Sequence, residues 1–150
     1  MGILDIAIIA FVCMELSNVI ILYFYPEFPY GNGVAVFRHW EKSKEDEATH
    51  LFARYMADWV AGVKLIFIFL LVVVVIVGDE RTKIWAVVAM ILSILSYFFR
   101  LHPTMKKLDQ LGELKPAGYS KSLDLMIIGF LLLFIGALCL HFFLPVENLP

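Results

Sequence analysis

Charged residues are scarce in this chain: 17% of its 150 positions are Asp, Glu, Lys or Arg, against 61% hydrophobic. A chain this short and this apolar has too little interior to hide its nonpolar surface from water, which excludes an ordinary soluble domain and points to a bilayer. Cysteine is nearly absent as well. Cys13 and Cys139 are the two present; they form no C-x-x-C and fall within apolar runs, so they read as small packing residues and not as a disulfide framework. Period-two alternation is missing, which excludes a β-barrel and leaves helices, because lipid offers backbone amides no partner outside their own segment. Also missing are a GxxxxGK phosphate loop, a GxSxG elbow, HExxH and a glycine-rich dinucleotide fingerprint. No internal repeat marks an inverted-repeat transporter, and there is no low-complexity tract. No basic residue precedes the first apolar run, Glu15 interrupts it and no small-x-small cleavage pattern follows, so it reads as a span and not as a signal peptide.

What is present is four apolar runs, Leu4 to Phe24, Ala57 to Val77, Ile84 to Leu101 and Leu123 to Leu144. Each is long enough to cross roughly 30 Å of hydrocarbon at about 1.5 Å per helical residue. The sequence therefore predicts an all-α, polytopic integral membrane protein, a single four-helix transmembrane domain over residues 1–150. Arg38, Lys42, Lys44 and Arg54 separate the first two runs, and Arg100, Lys106, Lys107, Lys115 and Lys121 fall at or after the end of the third; only Arg81 and Lys83 lie on the other side. The positive-inside rule then places both long connections in the cytoplasm and both termini outside, as in a prokaryotic inner membrane. Tyr23, Tyr25, Tyr55 and Trp59 mark the inner interface and Trp85 the outer one.

Pro26, Pro29 and Gly31-Asn32-Gly33 end the first helix and force turns. The stretch Val34 to Trp40 is expected along the membrane surface. Ser43, with Asp46 three residues on, reads as a helix start, and nothing interrupts the helical pattern from there to Val77, so the second helix extends into the cytoplasm with a length on the order of 50 Å. Met105, Leu108, Leu111 and Leu114 space a short surface helix that Pro116 and Gly118 end, after which Ser120 or Ser122 caps the last span.

The polar residues within the spans carry the functional reading, because ionisable groups in lipid are costly and turn towards a partner or a cavity. Counting from the helix ends puts Glu15 and Lys64 at a common depth, which predicts that Lys64 turns inward to pair with Glu15; the plain alternative is a lysine snorkelling to the headgroups. Glu15 and Asn18 share a face. Ser93, Ser96, Tyr97 and Arg100 share another, a stripe of Glu47, His50, Arg54, Asp58 and Ala61 descends the second helix, and Asp124 opens the fourth. Together Glu15, Asn18, Asp58, Lys64, Ser93, Tyr97, Arg100 and Asp124 outline a polar chamber open to the cytoplasm, for a small molecule, lipid headgroup or ion. If it transports, Glu15 is the proton-linked carboxylate. The competing reading is interhelical hydrogen bonding that only holds the bundle together.

Glu47, His50 and His102 are the candidates for a rim metal or haem site, and for a metal-dependent membrane enzyme, but no HxxxH lies on one helix and solvated or capping histidines are the simpler reading. Gly129 and Gly136, two turns apart, permit close approach of a neighbouring helix. A bundle this small is expected to contact membrane lipids and to self-associate or join a larger complex as a non-catalytic accessory subunit. Its connections are too mixed in charge for nucleic acid.

Overall fold

A computed structural model describes residues 1–143; the predicted end of the fourth span at Leu144 lies outside them. The elements are α1 (Ile3–Phe24), a 3-10 turn (Val34–Val36), α2 (Arg38–Ser43), α3 (Glu47–Val77), α4 (Glu80–Leu95), α5 (Tyr97–Gln110) and α6 (Tyr119–Phe143), with no strand among the described residues. Four helices are long and apolar enough to cross a membrane: α1, α3, the α4–α5 stretch and α6.

α1 is the hub, packing on α3, α4 and α6, while α4 and α5 also pack on α6. The main core joins Ile8 and Phe11 of α1, Leu71 of α3, Val87 and Met90 of α4, and Phe130 and Phe134 of α6. Phe11 sets its ring edge-on to Phe130 at 4.9 Å between centroids, an orientation the ring quadrupoles favour. The outward faces remain apolar: Phe69, Leu92, Leu125 and Leu132 are all more than 60% exposed within the chain. Such a surface is what a helix presents to lipid and what water would not tolerate in a contiguous band.

Helix starts differ from the sequence expectation in an instructive way. Asp46, and not Ser43, caps α3, its carboxylate accepting from the Thr49 amide at 2.9 Å. Ser43 instead closes α2, donating to the Trp40 carbonyl at 2.7 Å. The start of α6 is held by an acid from another element: Asp109, at the end of α5, accepts from the Gly118 and Ser120 amides at 2.9 and 3.2 Å. Helical structure does not stop at Leu101 but continues as α5 to Gln110. The break falls earlier, at Ser96, whose hydroxyl donates back to the Ser93 carbonyl at 2.6 Å; such back-bonding by serine competes with the helical ladder.

The two long connections interlock. Val36, fully buried, enters a core with Tyr97, Met105, Leu114, Tyr119 and Leu123. The Arg38 amide donates to the Glu113 carbonyl at 2.9 Å and the Lys115 amide to the Val36 carbonyl at 2.8 Å, while Tyr119 donates its hydroxyl to the Gly31 carbonyl at 2.8 Å. Lys42 and Glu113 pair at 2.8 Å. The stretch Val34 to Trp40 therefore turns apolar side chains inward against the other connection. Ala35, Val36 and Trp40 are 8%, 0% and 4% exposed, so the two connections form one cap over the bundle end.

Candidate functional site

Lys64 turns inward. Its ammonium donates to Glu15 Oε2 at 2.7 Å and to Asn18 Oδ1 at 2.6 Å, and Asn18 passes the chain on by donating from Nδ2 to the Asn32 carbonyl at 2.9 Å. The local reason is register: Glu15 and Asn18 are i and i+3 on α1, so both face α3. Small residues let that helix come close, since Ala61 is fully buried and a Cβ at Gly62 would stand 3.3 Å from the Tyr23 hydroxyl. The Glu15 and Lys64 side chains keep 18% and 22% exposure, so the pair is neither sealed nor free in solvent.

Beside the pair lies a cavity of about 220 Å³ between α1, α3 and the first connection, lined by Lys64, Asn18 and Asn32 and otherwise by apolar groups including Leu22, Phe37, Met56 and Val60. Glu15 is not among its walls. The cavity follows α3 from Lys64 to Ala53, a distance of about 16 Å along the helix, and runs towards the connections. In the opposite direction the helices close over the apolar core of Ile8, Phe11 and Phe134. The Gly31-Asn32-Gly33 turn forms the roof. Gly31 adopts φ +73°, a conformation that suits glycine, and an added Cβ at Gly33 would meet Ile21 at 3.4 Å, so the turn folds back along α1 to within one helical turn of Asn18.

Asp58 sits higher on the same helix, where Arg54 donates to its Oδ2 at 3.1 Å and to the Tyr23 carbonyl at 2.7 Å. Arg54 thereby serves one of the orphan carbonyls at the end of α1. Tyr97 and Asp124 are brought together elsewhere, between α5 and α6: Asp124 Oδ1 accepts from the Tyr97 hydroxyl at 2.8 Å and lies 2.9 Å from His102 Nδ1. The expected chamber is thus divided. Glu15, Asn18 and Lys64 gather at one site and Tyr97 and Asp124 at another, while Ser93 and Arg100 are exposed and belong to neither.

The histidines expected at a metal or haem site have other partners. His50 Nδ1 lies 2.9 Å from the Ser43 hydroxyl and its ring packs 4.8 Å from Trp40, His102 is held by Asp124, and Glu47 is exposed. Among the described residues no three His, Cys, Asp or Glu side chains gather in a group that could hold a metal ion. Gly129 and Gly136 have nothing within 4 Å of where a Cβ would stand, so among the described residues no neighbouring helix uses them for close approach.

A further ion pair was not anticipated from the sequence. Asp5, 7% exposed, pairs with Lys83 at 2.7 Å, joining the start of α1 to α4 at the end away from the cap. The depth argument that aligned Glu15 with Lys64 applies equally there, since Asp5 and Lys83 both fall at the same edge of their spans. Asn32 and Glu113, in turn-rich connections, had no comparable signal.

No family model, curated protein or solved structure matches the chain.

Proposed function

We propose that this is a four-span membrane protein, with its capped end and long connections cytoplasmic and both termini outside, that binds a small molecule, lipid headgroup or ion in the α1–α3 cavity. The observation that carries the reading is that Lys64, paired with Glu15, is among the residues lining that cavity. A cation in a largely apolar groove is expensive to keep, and a chain needing only to hold two helices together can do so with hydrocarbon. The depths agree with the membrane reading. Glu15 is ten residues from Asp5 and nine from Phe24, about 15 and 14 Å along α1, so the Glu15–Lys64 pair falls near the middle of a hydrocarbon slab bounded by the Asp5–Lys83 pair at one face and by Phe24, Tyr25 and Tyr55 at the other. Tyr25 and Tyr55 are each 62% exposed on the outside of the bundle, where an interfacial aromatic belt belongs.

The test is a thermal-shift screen of purified protein against single-chain amphiphiles, inorganic anions and cations, repeated with Ala53→Phe, which fills the mouth of the cavity. A ligand that stabilises the wild type and leaves Ala53→Phe unmoved supports the reading; ligands that act equally on both variants exclude the cavity.

A second reading, a non-catalytic accessory subunit, is favoured by the outward face of α3 near its start, where Leu51, Phe52 and Tyr55 are each more than 60% exposed, and by the unpartnered Gly129 and Gly136. Obligatory co-purification of a second protein in mild detergent supports this alternative, and a homogeneous, ligand-responsive particle opposes it.

A further inference from the structure

We infer that the occupant of the cavity is a single-chain amphiphile with an anionic head, such as a fatty carboxylate, and that it binds together with a proton taken up by Glu15. The inference rests on the proposed cavity and narrows it to one ligand class and one coupling.

The lining supplies the ligand class. An ammonium has three donors, and two of Lys64's are given to Glu15 Oε2 and Asn18 Oδ1. Of the ion pair, Lys64 lines the cavity and Glu15 does not. Asn18 and Asn32 add amides, and Leu22, Phe37, Met56 and Val60 supply apolar wall. An acceptor head with a hydrocarbon tail complements this lining, whereas a cation would meet Lys64 head-on. The volume of about 220 Å³ is below the range of about 300–1,000 Å³ typical of drug-sized ligand pockets, and a two-chain lipid has no room in it.

Charge balance supplies the coupling. As it stands, the Glu15–Lys64 pair is neutral. An anionic head that takes the Lys64 hydrogen bond leaves two negative groups around one ammonium, at a depth where uncompensated charge is strongly disfavoured. No other cation is at hand among the described residues. On α3, Arg54 is committed to Asp58 and the Tyr23 carbonyl; on α4, Lys83 is held by Asp5 at the far end; on α6, Asp124 is an acid already shared by Tyr97 and His102. Neutrality is restored when Glu15 takes a proton from water as Lys64 passes to the ligand carboxylate. Ligand anion and proton then enter together and the site ends with no net change in charge.

The experiment is calorimetric titration of the full chain in phosphatidylcholine nanodiscs with decanoate and, separately, decanol, in two buffers of different ionisation enthalpy. The expected results are uptake of a proton with each decanoate, an affinity for decanoate that falls as the pH rises, and weak, pH-independent binding of decanol. Glu15→Gln is expected to bind decanoate with no pH dependence, and Lys64→Met to lose decanoate while keeping decanol. A wild-type affinity for decanoate that does not change with pH, or decanoate and decanol binding alike, overturns the inference while leaving the cavity in place. Displacement of decanoate by phosphatidylglycerol in the nanodisc assigns the site to a membrane phospholipid and also overturns it. Binding that persists unchanged in Ala53→Phe removes the cavity reading itself, and this inference with it.

Discussion

Glu15 Oε2 and Lys64 Nζ stand 2.7 Å apart, with Asn18 Oδ1 2.6 Å from the same ammonium. This contact joins two helices that share little other polar chemistry, and it does so where the cavity reaches its deepest point. The polar groups above it, Asn32 and the Arg54–Asp58 pair, all lie towards the cap; below it the core is hydrocarbon. The asymmetry gives the proposed site a single direction of access.

The cap is predicted to loosen in acid. The hydrogen bond from Lys44, helped by Trp40, holds Glu27 below its ordinary value of 4.5, and the hydrogen bond from Lys42 does the same for Glu113. Carboxylates with lowered values bind fewer protons folded than unfolded, so their stabilisation is complete above about pH 4.5 and fades as the pH falls through the lower folded values. Trp40, 4% exposed, reports the change: with Trp59 and Trp85 replaced by Phe, its fluorescence should shift to the red only below about pH 4.5. The double variant Glu27→Gln, Glu113→Gln should be shifted at neutral pH already.

Val36 pins the two connections together. Its truncation to Ala should cost about 2 kcal/mol through lost burial and the void left behind, expressed in the cap and not in the helices. Trypsin cleavage after Lys42 or Lys44 should accelerate, while the helical circular dichroism signal stays constant.

Substitutions in the four helices should divide by the direction they face. Phe134 is fully buried against Phe11, and Phe134→Ala should lower stability by roughly 3–5 kcal/mol. Leu92 is 64% exposed within the chain, and if the proposed membrane placement holds, Leu92→Ala exchanges one lipid contact for another and should cost less than about 1 kcal/mol. Unfolding in mixed micelles measures both. Equal losses at the two positions would deny that the outer surface is lipid-facing.

Asp124 should prove to be the join between α5 and α6. Asp124→Asn keeps the shape but weakens the bonds to Tyr97 and His102, charge-assisted contacts being about twice as strong as neutral ones. Faster hydrogen exchange confined to α5 and the start of α6 is the expected result. Uniform exchange across all helices would show instead that Asp124 supports the whole bundle.

Much of the helical organisation was legible because it follows from hydrophobic run length and helical period. The alignment of Glu15 with Lys64 was legible as well, because both depths can be counted from helix ends at a constant rise. The interlocked cap was not. Whether Val36 buries against Tyr97 and Leu114 depends on two connections meeting in space, and neither connection alone shows that its apolar residues have a partner. The grouping within the expected chamber was illegible for a related reason: Tyr97 and Asp124, expected at its mouth, meet each other between α5 and α6, and depth says nothing about rotation around the bundle. Helix starts were blurred by local ambiguity, since Ser43 and Asp46 are both good caps and only the turn at the end of α2 decides between them. Asp109 reaching across to the start of α6 has no signature in the sequence around Ser120.

The coupling between positions 15 and 64 is the physical basis of the proposed site. A double-mutant cycle of Glu15→Gln and Lys64→Met, with unfolding free energies measured in bicelles, isolates it. Each single change leaves a polar group without its partner and should destabilise by about 3 kcal/mol, and the double change should be markedly less costly than the sum, with a coupling of about 2 kcal/mol. Additive losses would contradict the account, because they would mean that the ammonium and the carboxylate do not depend on each other within the folded protein.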